Sequence, residues 1–349
     1  MLISLRRLSQ LLYPREMYIR PKIPNELWLQ IINNIGQPVH ASAYRLDPGC
    51  ADALTQLCLV SRTLNALTVP VLYSRVYVTP TNLESFSNTI GAKRDRIGNS
   101  NRNVAPSATA TLVKSLALAG FGEGEDHPSM DTYWHRISCV LVALKPFLVR
   151  LFFDVYSPGK PDNPHTTQLS SAILDNTYQR AMYNAIRALS VIEEFCCTDT
   201  SLGPDTVPAW RTVRRMAMAG RWLNGRLLDN LSKLEALKKC ILAWPNGLQA
   251  DEEFLLSVVQ GNWTTTQATE LVMVTSHPSH WIVRRLKGAW ITKRDLGGPK
   301  SGGEATLAVI EMSRANRNIQ FSKMVLDGSI WDLYTEPWDI YCMGVDPMT

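Results

Sequence analysis

The first apolar pattern in the chain has helical spacing. Four apolar residues near the N-terminus step by four, one and three positions: Leu27, Ile31, Ile32 and Ile35. Such spacing places side chains on one face of a helix. Pro24 stands where the first turn begins, and a first turn tolerates proline because the missing N–H would have no partner there. Gly36 and Pro38 are predicted to end the helix.

A second helical face follows a polar stretch, residues 37–52, which contains Pro and Gly and is predicted to be an exposed loop. The apolar positions of this face step by three or four: Leu54, Leu57, Val60, Leu64 and Leu67. Pro70 is predicted to close the helix, and Val76 and Val78 belong to an extended piece after it. Two short amphipathic helices bury little surface by themselves, so they need a partner or a neighbouring domain.

Beyond Pro80 a different pattern recurs, with apolar residues spaced three and then two positions apart. The seven units are Val113-x-x-Leu116-x-Leu118, Leu148-x-x-Leu151-x-Phe153, Ile192-x-x-Phe195-x-Cys197, Val213-x-x-Met216-x-Met218, Leu237-x-x-Cys240-x-Leu242, Ala268-x-x-Leu271-x-Met273 and Leu307-x-x-Ile310-x-Met312. The alternating end of each unit predicts a short strand with one face buried. Segments of helical length lie between the units, at residues 132–144, 167–189, 222–234 and 251–259.

Repeated alternation of strand and helix is typical of a leucine-rich solenoid. The middle residues of successive units are separated by 35, 44, 21, 24, 31 and 39 positions. Regular leucine-rich repeats are about 20–29 residues long, so only two intervals conform. The alternative is an ordinary α/β sheet domain.

The N-terminal pattern resembles the F-box family. The residues that carry the resemblance are Ile23-Pro24, Glu26-Leu27, Ile31-Ile32, Leu57, Leu59-Val60-Ser61-Arg62, Leu64, Leu67, Pro70 and Leu72-Tyr73. They occur in the family's order, and the connection between the two helices is longer than is usual for the family. The resemblance implies an α/β protein with a small helical F-box at residues 21–80 and an irregular, leucine-rich-repeat-like solenoid at residues 81–349. A basic leader, residues 1–20, precedes both.

The resemblance also implies a partner. F-box helices bind a Skp-type adaptor, which links the chain to a cullin scaffold, and the repeats would hold a substrate protein. The adaptor-binding residues would be Ile23, Pro24, Leu27, Ile31, Ile32, Leu57, Val60, Leu64, Leu67, Leu72 and Tyr73. Aromatic residues make good anchors on a concave repeat surface, and the candidates for substrate contacts are Trp244, Trp263 and Trp281. These tryptophans would otherwise fill the core.

A second hypothesis is a non-catalytic interaction scaffold, in which the F-box-like helices only cap the repeat array. Solvent exposure distinguishes the two hypotheses. Exposed side chains at Leu27, Ile31 and Val60 favour a docking surface, whereas burial of these residues against the repeats favours a cap.

Composition narrows the remaining classes. The 349 residues carry a net charge of +5, and the basic residues are scattered, which argues against nucleic-acid binding. The longest apolar tract, residues 137–153, is interrupted by Lys145, Pro146 and Arg150, so no membrane span is predicted. Seven widely spread cysteines suggest no disulfide framework. A reducing compartment, the cytoplasm or the nucleus, is therefore expected.

Sequence motifs for catalysis or cofactor binding are missing. The sequence contains no nucleophile elbow, phosphate loop or dinucleotide-binding glycine pattern. Adjacent Cys196 and Cys197 are expected to point to opposite faces of a strand, which does not suit a metal site. We therefore predict no cofactor, no metal and no enzyme activity. A convergent His–carboxylate or Cys–His pair in a deep pocket would argue otherwise.

Overall fold

The protein is described by a computed structural model that covers residues 23–38, 40–92, 107–121, 130–154, 177–198, 210–219, 231, 234–244, 270–275, 306–311 and 317–332. Three helices come first, and a parallel β-sheet follows. The helices are α1 Asn25–Ile35, α2 Pro48–Val60, α3 Arg62–Ser74, α4 Leu83–Thr89, α5 Met130–Leu144, α6 Thr177–Arg187 and α7 Arg317–Asp327. Two 3-10 turns are described, at Ala110–Leu112 and Ser329–Asp332.

The strands form one sheet in which spatial order follows chain order. They are β1 Arg75–Val78, β2 Ser115–Ala119, β3 Arg150–Asp154, β4 Glu194–Cys197, β5 Arg215–Ala219, β6 Lys239–Trp244, β7 Glu270–Thr275 and β8 Thr306–Glu311. Each strand pairs with the next, and every pair is parallel. Parallel neighbours require long crossover connections, and α5 and α6 lie in two of them. The predicted α/β class is confirmed.

The predicted strand pattern coincides with the register of the sheet. The middle residues of the first six units pair across neighbouring strands, in the order Leu116, Leu151, Phe195, Met216, Cys240 and Leu271. The seventh unit was placed wrongly: Leu271 pairs with Leu307, not with Ile310. The four central residues of β8, 307–310, are all apolar, so alternation does not define its register, and in the observed register the polar Glu304 stands at the first position of the three-then-two pattern.

The two faces of the sheet differ in side-chain size. On the helix-covered face, Leu116, Leu151 and Phe195 pack with residues of α5 and α6 such as Ile137 and Ile186. The opposite face, called here the inner face, carries mostly small residues: Ala117, Ala119, Phe152, Cys196, Ala217, Ala219, Ile241 and Ala243. The predicted orientation of the cysteine pair is confirmed, because Cys196 belongs to the inner face and Cys197 to the helix-covered face.

The predicted second helix is two helices, which break at Ser61. This residue has an extended backbone, with φ −158° and ψ 160°. Its hydroxyl oxygen accepts a hydrogen bond from the Leu64 N–H at 3.1 Å. Serine is a favourable N-cap because its oxygen satisfies an amide that lacks a helical partner. The serine of the F-box-like motif therefore starts α3.

Pro70 does not close the helix, contrary to the prediction. Helix α3 continues through Pro70 to Ser74 and leads directly into β1. A proline inside a helix leaves the carbonyl four residues earlier without its usual donor. Both Pro70 and Ala66 are exposed, so water can satisfy that carbonyl.

The predicted exposed loop, residues 37–52, is both shorter and more buried than expected. Helix α2 begins at Pro48, and Asp47 caps it by accepting the Gly49 N–H at 2.8 Å. Within the remaining loop, Ala43, Tyr44 and Leu46 are buried. The apolar character of these side chains outweighs the Pro- and Gly-based loop signal.

The other predicted helices agree with the structure where it describes them. The segment at residues 132–144 corresponds to α5, and α6 lies within the segment at residues 167–189. The segment at 251–259 lies outside the described residues, as does the segment at 222–234 apart from Leu231 and Leu234. The basic leader, residues 1–20, is also outside them, and the domain boundary at residue 80 stays a prediction.

Candidate functional site

Large apolar side chains are exposed on the N-terminal helices. Leu27 and Ile31 on α1 are 48% and 41% exposed, and Leu59 and Val60 at the end of α2 are 76% and 68% exposed. Ile23, just before α1, is exposed as well. Single exposed apolar residues are ordinary on protein surfaces. Several on one short helical unit indicate a surface for a partner.

The same helices bury a small core of their own. Its buried members are Ile32, Leu54 and Leu64 on the helices and Leu46 in the loop before α2. The partly buried residues that pack on them are Trp28, Ile35, Ala51, Leu57, Leu67, Val71 and Leu72. Gly36, at the end of α1, lies against α3 so closely that a Cβ there would overlap the Val71 side chain. This contact fixes how α1 packs on α3.

The predicted adaptor-binding residues therefore divide into two groups. The exposed group is Ile23, Pro24, Leu27, Ile31 and Val60. The group that is buried or half-buried is Ile32, Leu57, Leu64, Leu67, Leu72 and Tyr73. Only the first group is available for contact with a partner, while most of the second holds the helices together. Leu59, the most exposed large apolar residue of this unit, was named in the N-terminal pattern but not among the predicted adaptor-binding residues, although it directly precedes Val60.

A loop between α1 and α2 crosses onto the inner face of the sheet. This crossing loop, residues 40–46, is anchored by Tyr44, which is completely buried. The Tyr44 hydroxyl donates to the Leu151 carbonyl at 3.3 Å, and its ring lies 5.8 Å from that of Phe152. Burial, with smaller effects of Cys196 and Glu194, raises the pKa of Tyr44 well above its ordinary value. Tyr44 is therefore a neutral donor at physiological pH.

Polar residues occupy the first position of every strand and pair across the sheet. This first row consists of Arg75, Ser115, Arg150, Glu194, Arg215, Lys239, Glu270 and Thr306. Six of its members directly precede the middle residue of a predicted unit, as Arg150 precedes Leu151, and all of these six except Ser115 are charged. That recurring charged position was a signal in the sequence, and it was missed.

Glu194 is the centre of the first row. Its side chain is only 2% exposed, and its Oε1 lies 3.2 Å from a guanidinium nitrogen of Arg150. Arg215, on the neighbouring strand at the other side, forms an ion pair with Oε2 of Glu194, but its N–H groups are not aligned for a hydrogen bond to that oxygen. The indole N–H of Trp331 donates to Oε1 at 3.2 Å. A buried carboxylate needs such partners, because an unpaired buried charge is strongly unfavourable.

The two arginines that flank Glu194 also hold the crossing loop. Arg150 donates to the carbonyls of Ser42 and Ala43, the latter at 3.2 Å. Its guanidinium also lies 4.6 Å from the centre of the Tyr44 ring. Arg215 donates to the Ser42 hydroxyl at 2.9 Å. Because one guanidinium carries five donors in a fixed plane, Arg150 can bind Glu194 and the loop together.

The inner face is covered from the other side by the C-terminal segment, residues 317–332. Its apolar side chains pack with Tyr44 and with the small residues of β2 to β6: Phe321, Val325, Leu326, Ile330 and Trp331. The Tyr44 N–H donates to the Leu326 carbonyl at 2.9 Å, and Lys239 donates to the Trp331 carbonyl at 2.9 Å. The inner face of β2 to β6 is therefore a buried core rather than an open groove.

The substrate-binding prediction is not tested by these contacts. Trp244 is the last residue of β6, and its side chain is not described. Trp263 and Trp281 lie outside the described residues. Any substrate contact by these tryptophans stays a prediction. In this conformation the C-terminal segment covers the inner face of β2 to β6, so a substrate cannot bind there.

Two polar pairs among the described residues bring a histidine close to a carboxylate or a thiol. His40 Nδ1 lies 2.9 Å from a carboxylate oxygen of Asp332, with the two side chains 38% and 62% exposed. The Cys139 Sγ lies 4.0 Å from the His135 Nε2, one helical turn away on α5. Among the described residues, no group of three or more His, Cys, Asp or Glu is arranged to hold a metal ion. None of the described helices is long and apolar enough to span a membrane.

Comparison with known proteins does not identify a family. A scan against models of protein families finds no match, and a search of curated proteins finds no similar sequence. What the chain does is therefore inferred from its own residues and their geometry.

Proposed function

We propose that this chain is a substrate receptor of a cullin-type ubiquitin ligase. The N-terminal helices form an F-box that docks a Skp-type adaptor, and the parallel sheet with its helices forms a leucine-rich-repeat-like solenoid that binds a substrate protein. The chain contributes proximity between substrate and ubiquitin-charged enzyme, while other subunits perform the chemistry.

The observation that carries the proposal is the exposure of Leu27, Ile31 and Val60. A cap would bury these side chains against the sheet, and they are between 41% and 68% exposed. Their neighbours Ile32 and Leu64 are buried inside the helical unit. A helix with one apolar stripe inside and another outside suits binding in a partner's groove.

The exposed side chains supply a useful amount of binding free energy. Complete burial of a Leu, Ile or Val side chain contributes about 1.5–3 kcal/mol. Covering the exposed part of Leu27, Ile31 and Val60 would contribute about 1 kcal/mol each. Since a tenfold change in affinity corresponds to about 1.4 kcal/mol, these residues together matter for a stable complex.

The strand arrangement supports the solenoid part of the proposal. Eight parallel strands follow one another in chain order, and six predicted units align at their middle residues. A stack of similar strand-containing units, each in contact with its neighbours, is the organisation of repeat proteins.

The test is co-purification with a Skp-type adaptor. The wild-type chain is compared with Leu27→Asp and Val60→Asp, which place a carboxylate in the apolar contact. The matched control is Val142→Asp, because Val142 is a 61% exposed apolar residue on α5, outside the helical unit. We expect the adaptor to be retained by wild type and control and lost by the other two variants. Equal retention by all four chains would contradict the proposal.

A further inference from the structure

We propose that the crossing loop and the C-terminal segment interlock over the first row, and that this interlock fixes the direction in which α1–α3 present their exposed side chains. The biological consequence rests on the proposed function, since a receptor has to hold its substrate in a set position relative to its adaptor. The mechanical claim concerns this chain alone.

The argument begins with how the helical unit is attached. Helix α3 ends at Ser74 and β1 begins at Arg75, so the chain joins the unit to the sheet at one point. A single backbone connection does not by itself prevent rotation about its φ and ψ angles, and at this junction the Lys114 N–H also donates to the Ser74 carbonyl at 3.2 Å. The crossing loop lies between α1 and α2 and supplies a second attachment, because Tyr44 is buried on the inner face. Two separated attachments remove that rotation.

The second attachment is specific as well as apolar. Arg75, Arg150 and Arg215 each donate to the crossing loop, the first of them to the Ala41 carbonyl at 3.3 Å. These arginines stand on β1, β3 and β5, so the loop is held along the first row rather than at a single residue. Displacing the loop would remove its hydrogen bonds to Arg150 and Arg215 and would open a cavity where Tyr44 packs.

The C-terminal segment closes over the loop. Gly328 has a φ of +85°, which favours glycine, and a Cβ there would lie 2.5 Å from the Ala43 nitrogen. Trp331 donates to Glu194, and the Arg215 guanidinium lies 5.0 Å from the centre of its ring. The crossing loop is therefore in contact with both the sheet and the C-terminal segment. The loop and the C-terminal segment hold each other in place on the sheet.

The experiment measures the distance between the helical unit and the sheet domain. Spin labels are attached through unnatural amino acids at two exposed positions, Asn33 on α1 and Lys145 after α5. Double electron–electron resonance then reports the distribution of distances. We expect one narrow distribution in the wild-type chain and loss of the narrow peak in Tyr44→Ala. The control that keeps it is Val142→Ala, at an exposed position on α5 outside the helical unit.

Each outcome decides the question. A broad distribution in the wild-type chain overturns the proposal without any variant. A narrow peak that persists in Tyr44→Ala, with secondary structure retained by circular dichroism, also overturns it. Adaptor co-purification is measured on the same samples. Because the distance does not depend on the adaptor, a wild-type chain that gives a narrow peak without binding adaptor contradicts the proposed function and leaves the interlock standing.

Discussion

Trp331 donates its indole N–H to Glu194 across 3.2 Å, although 137 residues separate them in the chain. The bond joins the C-terminal segment to the fourth strand of the sheet. The same carboxylate is paired with Arg150 and Arg215 on the two neighbouring strands. One buried acidic side chain thus connects three strands, and through the two arginines it connects them to the crossing loop.

Replacing Glu194 is expected to destabilise the protein strongly. In Glu194→Gln the charges of Arg150 and Arg215 lose their common partner, and removing one member of a buried ion pair costs about 3–5 kcal/mol. The matched control is Glu193→Gln, one residue earlier and exposed, for which we expect a change within about 0.5 kcal/mol. Urea denaturation at neutral pH gives both values. A similar small effect for the two variants would show that the first row is not an energetic centre.

Substitutions at Gly36 and Val71 are expected to be energetically coupled, because the two residues are in direct contact. Gly36→Ala adds a methyl that overlaps the Val71 side chain, and overpacking of this kind costs about 1–3 kcal/mol. In a Gly36→Ala, Val71→Ala double variant the clash is removed, so the cost should be smaller than the sum of the single changes. A double-mutant cycle in urea measures this coupling. Simple additivity would place the two residues out of contact.

The helix break at Ser61 yields a prediction about the F-box-like motif. Ser61→Ala removes the cap of α3 and should lower the free energy of unfolding by about 1 kcal/mol. Ser61→Asp keeps an acceptor for the Leu64 N–H and should retain most of the stability. Thermal unfolding of the three chains tests the order. If alanine and aspartate were equally destabilising, Ser61 would not act as a cap.

Stability is expected to fall at alkaline pH. Burial raises the pKa of Cys196, Cys240 and Tyr44 in the folded chain. The pKa values of cysteine and tyrosine in the unfolded chain are about 8.5 and 10. As the pH rises, the unfolded state therefore loses these protons before the folded state does. The stabilisation is complete below those values and decreases as pH rises above them, by about 1.4 kcal/mol per pH unit for each group.

Urea denaturation between pH 7 and pH 10 tests this dependence. Cys240→Ala removes one of the groups, so its stability should decrease less steeply with pH than that of the wild-type chain. The two chains are compared by the slope of the free energy of unfolding against pH, because the smaller alanine side chain also changes the absolute stability. Identical slopes would contradict the assignment of Cys240 as a buried neutral thiol.

The strands were predictable from sequence because their signal is local. Alternating apolar residues around Leu116, Leu151 or Met216 lie within a few positions of one another, and the register of the sheet repeats that spacing. The error at β8 has the same origin, because the four consecutive apolar residues 307–310 do not define a register by themselves. Helix ends at Ser61 and Pro48 depend on single caps, which periodicity does not detect.

The inner face was not predictable in the same way. Tyr44 contacts Leu151 and Cys196, which are 107 and 152 residues away, and nothing in its neighbourhood marks it as buried. The loop composition around it predicts exposure, and burial on the sheet overrides that signal. Exposure of Leu27 and Ile31 was named at the sequence level as the feature that favours a docking surface over a cap. Their spacing with Ile32 and Ile35 predicted a single apolar face, however, whereas Ile32 and Ile35 pack inside the helical unit and Leu27 and Ile31 are exposed.

The most direct test of the proposed function is site-specific photo-crosslinking to a Skp-type adaptor. A photoreactive phenylalanine derivative replaces Leu27 in one chain and Val142 in another, since both positions are exposed and apolar. The two chains are irradiated with purified adaptor and analysed for the crosslinked product. We predict a crosslink from position 27 and none from position 142. No crosslink from position 27, or equal crosslinks from both, would contradict the assignment of α1 as an adaptor-docking helix.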